Sequence, residues 1–208
     1  MQRKVQVVWC MALLLLGLHY WSGSHGAMVW TEGFYVKNAP GREDVAALLQ
    51  KLRAKVHAFL AAAPQDDPRI RRIREKWSGT LAEIDAEAER QGSLAYSLNK
   101  DSIHVCLRAP DGTLADDNTA FFVIVHELAH VATPHYGHTP HFWENMKYLL
   151  EEADRLGFYS YVHHGQSTVT LCGRVLGPSP LTCVREQRCA SSLSPPVSPP
   201  VSPPVSHP

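Results

Sequence analysis

The residues with the clearest chemical potential lie in the run His126-Glu127-Leu128-Ala129-His130. On an α-helix, side chains four residues apart lie on one face, so both imidazoles can bind one metal ion. Glu127 is displaced by one position, and its carboxylate is therefore expected to reach a metal-bound water instead of the metal. The spacing predicts a site in which Zn²⁺ lowers the pKa of that water and Glu127 is the general base for peptide-bond hydrolysis.

A catalytic zinc usually has three protein ligands and one open position, so a third ligand is expected beyond this helix. His138 is the preferred candidate, because Gly137-His138 ends the loop before the next predicted helix and lets the chain reverse over the first one. Other residues within reach along the chain stay open as alternatives: His135, His141, Glu151 and Glu152.

Peptide hydrolysis also calls for a hydrogen-bond donor to the developing oxyanion. Aromatic and histidine side chains after the second predicted helix are candidates, although core or surface roles are the simpler interpretation for them. These residues are Tyr159, Tyr161, His163 and His164.

Two helices are predicted to position the histidines. The first is an apolar run from Phe121 to Ala129, preceded by the typical helix caps of residues 116–119. The second begins with Thr139 as cap and Pro140 at its first position, and it stops at Gly157. The histidine pair is therefore expected inside a buried helix.

The elements before the histidine helix are predicted from their periodicity. An amphipathic packing helix covers Val45 to Leu60, and a short helix follows around Ile70 to Trp77. The pattern then changes to strands over residues 94–98 and 103–107, joined by the polar turn 99–102. Helices and a small sheet in this order predict a single α+β domain, which we place at residues 41–189.

The charges exclude some classes of partner. The chain has 208 residues with 20 Lys+Arg and 20 Asp+Glu, so it carries no general basic footprint for nucleic acid. The short basic run from Arg69 to Lys76 is interpreted as a solvated helix face. The expected partner is a peptide or protein substrate, with no nucleic acid.

The two ends of the chain differ from the predicted domain. Arg3 and Lys4 precede an apolar stretch from Val5 to Trp21 and then small residues up to Ala27, which is typical of a secretory signal over residues 1–27. An uncleaved membrane tether is the alternative, because the stretch is near the length that spans a bilayer. Either way, the expected location is the secretory pathway, extracellular or membrane-anchored. Residues 190–208 repeat Ser, Pro and Val and predict a disordered tail.

Four cysteines remain after the predicted signal: Cys106, Cys172, Cys183 and Cys189. An even number in an exported chain permits two disulfides with three pairings, and buried free thiols are the alternative.

The run 126–130, followed by Tyr136-Gly137-His138-Thr139-Pro140-His141-Phe142-Trp143, resembles the SprT-like and WLM zinc metallopeptidases. Those families place the third ligand at the histidine that matches His138. A closer resemblance, over about Val45 to Leu181, is to putative metallopeptidases of large DNA viruses and algae. It includes the runs 97–100, 106–108, 117–119, 149–153 and 172–173.

The resemblance implies a zincin-like fold, in which a small sheet packs on the helix that carries the two histidines. It does not carry over the nuclear DNA-repair role of SprT-like and WLM proteins, because this chain has a predicted export signal, neutral charge and no DNA-binding extension. Two other functions stay open: a zinc-binding module without turnover, and a cell-surface interaction protein that acts through its proline-rich tail. An intact Glu127 argues against the first.

Overall fold

The computed structural model describes residues 27–162 and 169–182, and these form an α+β fold, as predicted. The helices are α1 (Arg42–Ala62), α2 (Pro68–Lys76), α3 (Ala86–Arg90), α4 (Asp117–Ala132) and α5 (Pro140–Arg155). The strands are β1 (Met28–Thr31), β2 (Phe34–Lys37), β3 (Thr80–Glu83), β4 (Ala95–Leu98), β5 (Ser102–Val105), β6 (Thr170–Leu171) and β7 (Arg174–Val175). The predicted signal up to residue 26, His163, His164, Cys183, Cys189 and the proline-rich tail lie outside the described residues.

A three-stranded sheet of order β3-β5-β4 lies beside the histidine helix. The predicted hairpin is confirmed as the antiparallel pair β4–β5, with Tyr96 opposite His104. The parallel strand β3 was not predicted, because its pairing partner is distant in sequence and its residues Leu81 to Glu83 are all buried, without alternation. Strand β4 is left at the edge of the sheet, next to α4.

Helix α4 is the centre of the fold. It packs against α1, α2, α5 and the sheet, and nearly all of its side chains are buried. Phe121 of α4 meets Phe59 of α1 edge to face, with 6.1 Å between the ring centroids. A helix that is largely apolar all round belongs in a core, so the prediction that the histidine pair lies in a buried helix is confirmed, with the two imidazoles themselves half-buried. Among the described residues, no helix combines the length and apolar character that crossing a bilayer requires.

The hairpin β1–β2 precedes the boundary predicted at residue 41 but contributes Phe34 and Val36 to the same core. A buried ion pair attaches it to the sheet: Arg108 donates to both carboxylate oxygens of Glu83 at 3.0 and 2.8 Å, and Glu83 also accepts from the Lys37 backbone at 2.7 Å. Glu83 is 0% and Arg108 7% exposed. The folded unit therefore begins before residue 41.

A disulfide between Cys106 and Cys172 ties the C-terminal hairpin β6–β7 to the end of β5. Arg174 of this hairpin also donates to the carbonyl oxygens of Gly92 and Glu89, at 3.2 and 3.3 Å. One of the disulfides that the cysteine count permits is thus formed within the described residues, and it joins parts of the chain 66 residues apart.

Candidate metal centre and cleft

Three histidines converge at one point. The Nε2 atom of His138 lies 3.0 Å from Nε2 of His126 and 3.2 Å from Nε2 of His130. An imidazole nitrogen carries at most one hydrogen, so Nε2 of His138 cannot donate ordinary hydrogen bonds to both of the other histidines. Ligands of a tetrahedral zinc at about 2.0 Å would be separated by about 3.3 Å, close to these distances. The three histidines could therefore hold a metal ion.

The environment keeps two of these imidazoles neutral. Burial, followed by the neighbouring histidines, lowers the pKa of His126 to about 3. Burial and then the charges of His138 and Lys100 lower the pKa of His130 to about 4. A neutral imidazole has a free lone pair, so both side chains are in the ligand form at neutral pH.

Capping fixes the start of the histidine helix. The Asp116 carboxylate accepts from the backbone N–H groups of Asn118 and Thr119, both at 3.0 Å. These bonds satisfy two of the donors that every helix leaves free at its N-terminus, as the cap residues in the sequence predicted.

A buried polar network holds the other end of α4. The Thr133 hydroxyl donates to the Ala129 carbonyl at 2.7 Å and accepts from the Asn145 amide of α5 at 3.0 Å. Both side chains are buried, so leaving either group unpaired would cost about 1–3 kcal/mol. This network links the two helices on either side of the loop that carries His138.

The loop itself returns to the helix by a glycine turn. Gly137 has φ 82°, a left-handed conformation that glycine adopts without strain, and His138 follows it directly. Thr139 then caps α5 by accepting from the Phe142 N–H at 3.3 Å, with Pro140 at the first helical turn, as predicted. The turn and cap together place the His138 imidazole over α4.

Aromatic rings support the three imidazoles. The buried ring of Phe142 lies 4.2 Å from His130, 4.7 Å from His138 and 4.9 Å from His126, measured between centroids. Trp143 stacks on His138 at 5.5 Å and remains 41% exposed. These contacts restrict the orientation of the histidine rings.

Glu127 lies next to the cluster but contributes no atom to it. Glu127 is 5% exposed, and burial raises its pKa to about 7, partly opposed by hydrogen bonds from Ser97 of the edge strand. A carboxylate with a pKa near neutrality suits a group that takes and returns a proton.

Two adjoining cavities form a cleft across this site, and they share Ala95, His126 and Glu127. The apolar half, of about 290 Å³, is completed by Gly92, Leu94, Phe122, Val123, Trp143, Met146, Leu176, Gly177 and Pro178. The polar half, of about 490 Å³, is completed by residues 96–100, His130 and residues 135–138. The site thus opens onto a continuous groove that runs along strand β4.

The structure brings His138 into the cluster and leaves out the alternative ligands. His135 and His141 are exposed and lie outside the group, while Glu151 and Glu152 pair with Lys147 and Arg155. Tyr159 is buried against Phe122, and the Tyr161 hydroxyl bonds to Thr182. Neither tyrosine lines the cleft.

Sequence reasoning assigned no role in the site to three residues that the structure places in or beside it. Ser97 hydrogen-bonds to Glu127, Lys100 donates to the Thr133 carbonyl after α4, and Asn145 donates to the Thr133 hydroxyl. Their roles depend on long-range packing between the sheet, α4 and α5. The one local sign of these roles was the predicted polar turn at residues 99–102. Residue spacing alone does not show that this turn follows an edge strand beside the histidine helix.

No protein-family profile matches the chain. No solved structure matches it either. Viral proteins are similar to parts of it. "Uncharacterized protein 136R" of Invertebrate iridescent virus 6 is 35% identical over 95 residues, covering 41% of this chain and 53% of its own length. "Uncharacterized protein R325" of Acanthamoeba polyphaga mimivirus is 27% identical over 160 residues, 71% of this chain and 79% of its own. "Uncharacterized protein 042R" of Invertebrate iridescent virus 3 is 42% identical over 66 residues, which cover 31% of this chain and 42% of its own length.

The chain therefore spans about half the length of the two iridescent-virus proteins that it matches and most of the mimivirus protein. The names of these viral proteins state no activity, so the interpretation of the site depends on its own chemistry.

Proposed function

We propose that this protein is a zinc-dependent metallopeptidase of zincin-like fold, with His126, His130 and His138 as ligands and Glu127 as general base. One observation carries the proposal: three imidazole nitrogens converge within ligand distance of one point, and a buried carboxylate stands beside them in the same cleft. A closed structural site would have no use for such a base beside an open groove.

The choice of zinc follows from the donors. Three imidazole ligands with a site open on one side match the common catalytic zinc arrangement, whereas magnesium and calcium prefer oxygen ligands. Zinc, when bound, supplies Lewis acidity toward a water and a substrate carbonyl.

The chain's own residues then perform the proton transfers. Glu127 takes a proton from the attacking water and returns it to the nitrogen of the leaving amine. Its burial and its contact with Ser97 orient the carboxylate and keep its pKa near neutrality. Phe142 and Trp143 pack against the imidazoles and restrict their orientation.

The disulfide supports a second part of the proposal, the compartment. Such bonds persist in oxidising environments, and the bond between Cys106 and Cys172 agrees with the export signal predicted at residues 1–27. We infer that the protein acts in the secretory pathway or outside the cell.

The test combines metal analysis with cleavage of an unbiased peptide library. The purified protein should hold about one zinc per chain. Glu127→Gln should keep the zinc and lose at least about a hundredfold in turnover. His130→Ala should lose both zinc and activity, while His141→Ala, a histidine outside the cluster, should lose neither.

Three results would contradict the proposal. Active protein without stoichiometric metal excludes the zinc mechanism. Near-normal turnover by Glu127→Gln excludes the general base. Zinc binding without cleavage of any library peptide favours the alternative of a metal-binding module without turnover.

A further inference from the structure

Lys100 has an unusual place in the cleft. It lies in the turn between β4 and β5, and it is the one lysine or arginine among the described residues that line either half. Its ammonium group lies 5.1 Å from the ring centroid of Tyr136, an 86% exposed residue of the His138 loop. The polar half of the cleft therefore has a positive charge at its edge.

That charge has no carboxylate partner among the described residues. The ion pairs found there do not include Lys100, and Glu127 is the one acidic residue that lines the cleft. The ammonium donates to the backbone carbonyls of Thr133 and Pro134. An ammonium has three N–H donors, so one remains for a ligand in the cleft.

The backbone at Lys100 is strained. Asn99 and Lys100 have φ values of 52° and 62°, and the Asp101 N–H closes the turn on the Leu98 carbonyl at 2.9 Å. Positive φ at both central residues favours Asn followed by Gly. A lysine in place of that glycine costs about 1 kcal/mol or more of backbone strain. The geometry of the turn does not explain why a lysine stands at this position. The explanation must therefore come from what the Lys100 side chain does.

We propose that Lys100 makes the polar half of the cleft select a carboxylate on the substrate. Two sources share this chemistry: an Asp or Glu side chain near the scissile bond, and the free C-terminal carboxylate of a short peptide. The inference rests on the proposed function, since it names the substrate class of the same cleft.

The experiment measures binding and cleavage separately. Matched fluorescent peptides carry Asp, Asn or Lys at each position flanking the scissile bond, and each is made with a free and with an amidated C-terminus. Binding is measured by anisotropy to the Glu127→Gln variant, both zinc-loaded and chelated, and cleavage is measured with the unmodified active site. A bound metal would itself attract carboxylates, so the deciding comparison is between variants at Lys100.

We expect Lys100→Met to reduce the preference for carboxylate over amide peptides by about 3- to 10-fold, the size of a partly screened charge contact. Lys100→Glu should reverse it in favour of Lys peptides. Lys76→Glu changes the net charge equally at an exposed position outside the cleft and should change nothing. The preference should also weaken between about 0.05 and 0.5 M salt.

The amidated peptides distinguish the two sources of the carboxylate. Loss of the preference on amidation assigns it to the terminal carboxylate, and persistence assigns it to the side chain. If the wild-type protein and Lys100→Glu show the same relative binding and cleavage across all peptides, the inference is overturned, even if cleavage is robust. Carboxylate binding that depends on Lys100 without any cleavage supports the inference and rejects the proposed function. Lys100→Gly removes the charge while suiting the turn, and it checks that a loss does not reflect misfolding.

Discussion

Replacing Glu127 by Gln is expected to stabilise the metal-free protein at neutral and alkaline pH. Burial raises the pKa of Glu127 from 4.5 to about 7, so the folded protein resists ionising this carboxyl. Below pH 4.5 the group is protonated in the folded and unfolded states alike, and it imposes no cost. As the pH rises toward 7, the unfolded chain releases the proton first, and the wild-type protein loses stability.

The magnitude follows from the two pKa values. A rise from 4.5 to about 7 corresponds to about 3 kcal/mol in the free energy of unfolding, at about 1.4 kcal/mol per pH unit. Gln cannot ionise, so the difference between variant and wild type should grow from pH 4.5, level off above pH 7 and be about 3 kcal/mol at most. His126 and His130 titrate with the opposite slope, but they are present in both proteins and cancel in the difference.

The assay is denaturant unfolding of both proteins in chelator from pH 4 to pH 9. Glu144→Gln, at an exposed position of α5, is the matched control and should follow the wild type. The experiment is then repeated with zinc, whose charge favours the ionised carboxylate and should reduce the difference. Parallel stability curves for chelated wild type and Glu127→Gln would refute the reasoning, because they would show that Glu127 ionises freely in the folded protein.

Further predictions concern the metal, the cross-links and the export signal. His130→Ala should abolish the thermal stabilisation by zinc, which for the wild type is about 2.7 kcal/mol at a hundredfold excess over Kd, and an unchanged shift would contradict the ligand assignment. Cys172→Ser should lower the free energy of unfolding by roughly 2–4 kcal/mol, and a reductant should then have no further effect through this bond. Arg108→Met removes the closer of the two cations that pair with buried Glu83 and leaves the Lys37 ammonium at 3.5 Å, so it should cost up to about 3–5 kcal/mol in denaturant unfolding, with partial recovery on adding Glu83→Leu. A reporter fused after Ala27 should enter the secretory pathway, and cytosolic retention would reject the export prediction.

The local chemistry of the site could be predicted from the sequence because it depends on short-range rules. The four-residue spacing of His126 and His130 places them on one helix face, and the caps at Asp116 and Thr139 begin the two helices where predicted. The β4–β5 hairpin could be predicted in the same way, because it joins strands that are neighbours in sequence. Reach along the chain favoured His138 as third ligand, and the alternatives stayed open at that level.

Tertiary structure decided what depends on contacts between distant parts of the chain. The Gly137 turn and the Thr133–Asn145 network bring His138 over α4, and no periodicity encodes that approach. The parallel strand β3, the salt bridge of Arg108 and the pairing of Cys106 with Cys172 join segments that are far apart in sequence. Such pairings are selected by packing of the whole core, because many partners are compatible with any one segment until the others are in place.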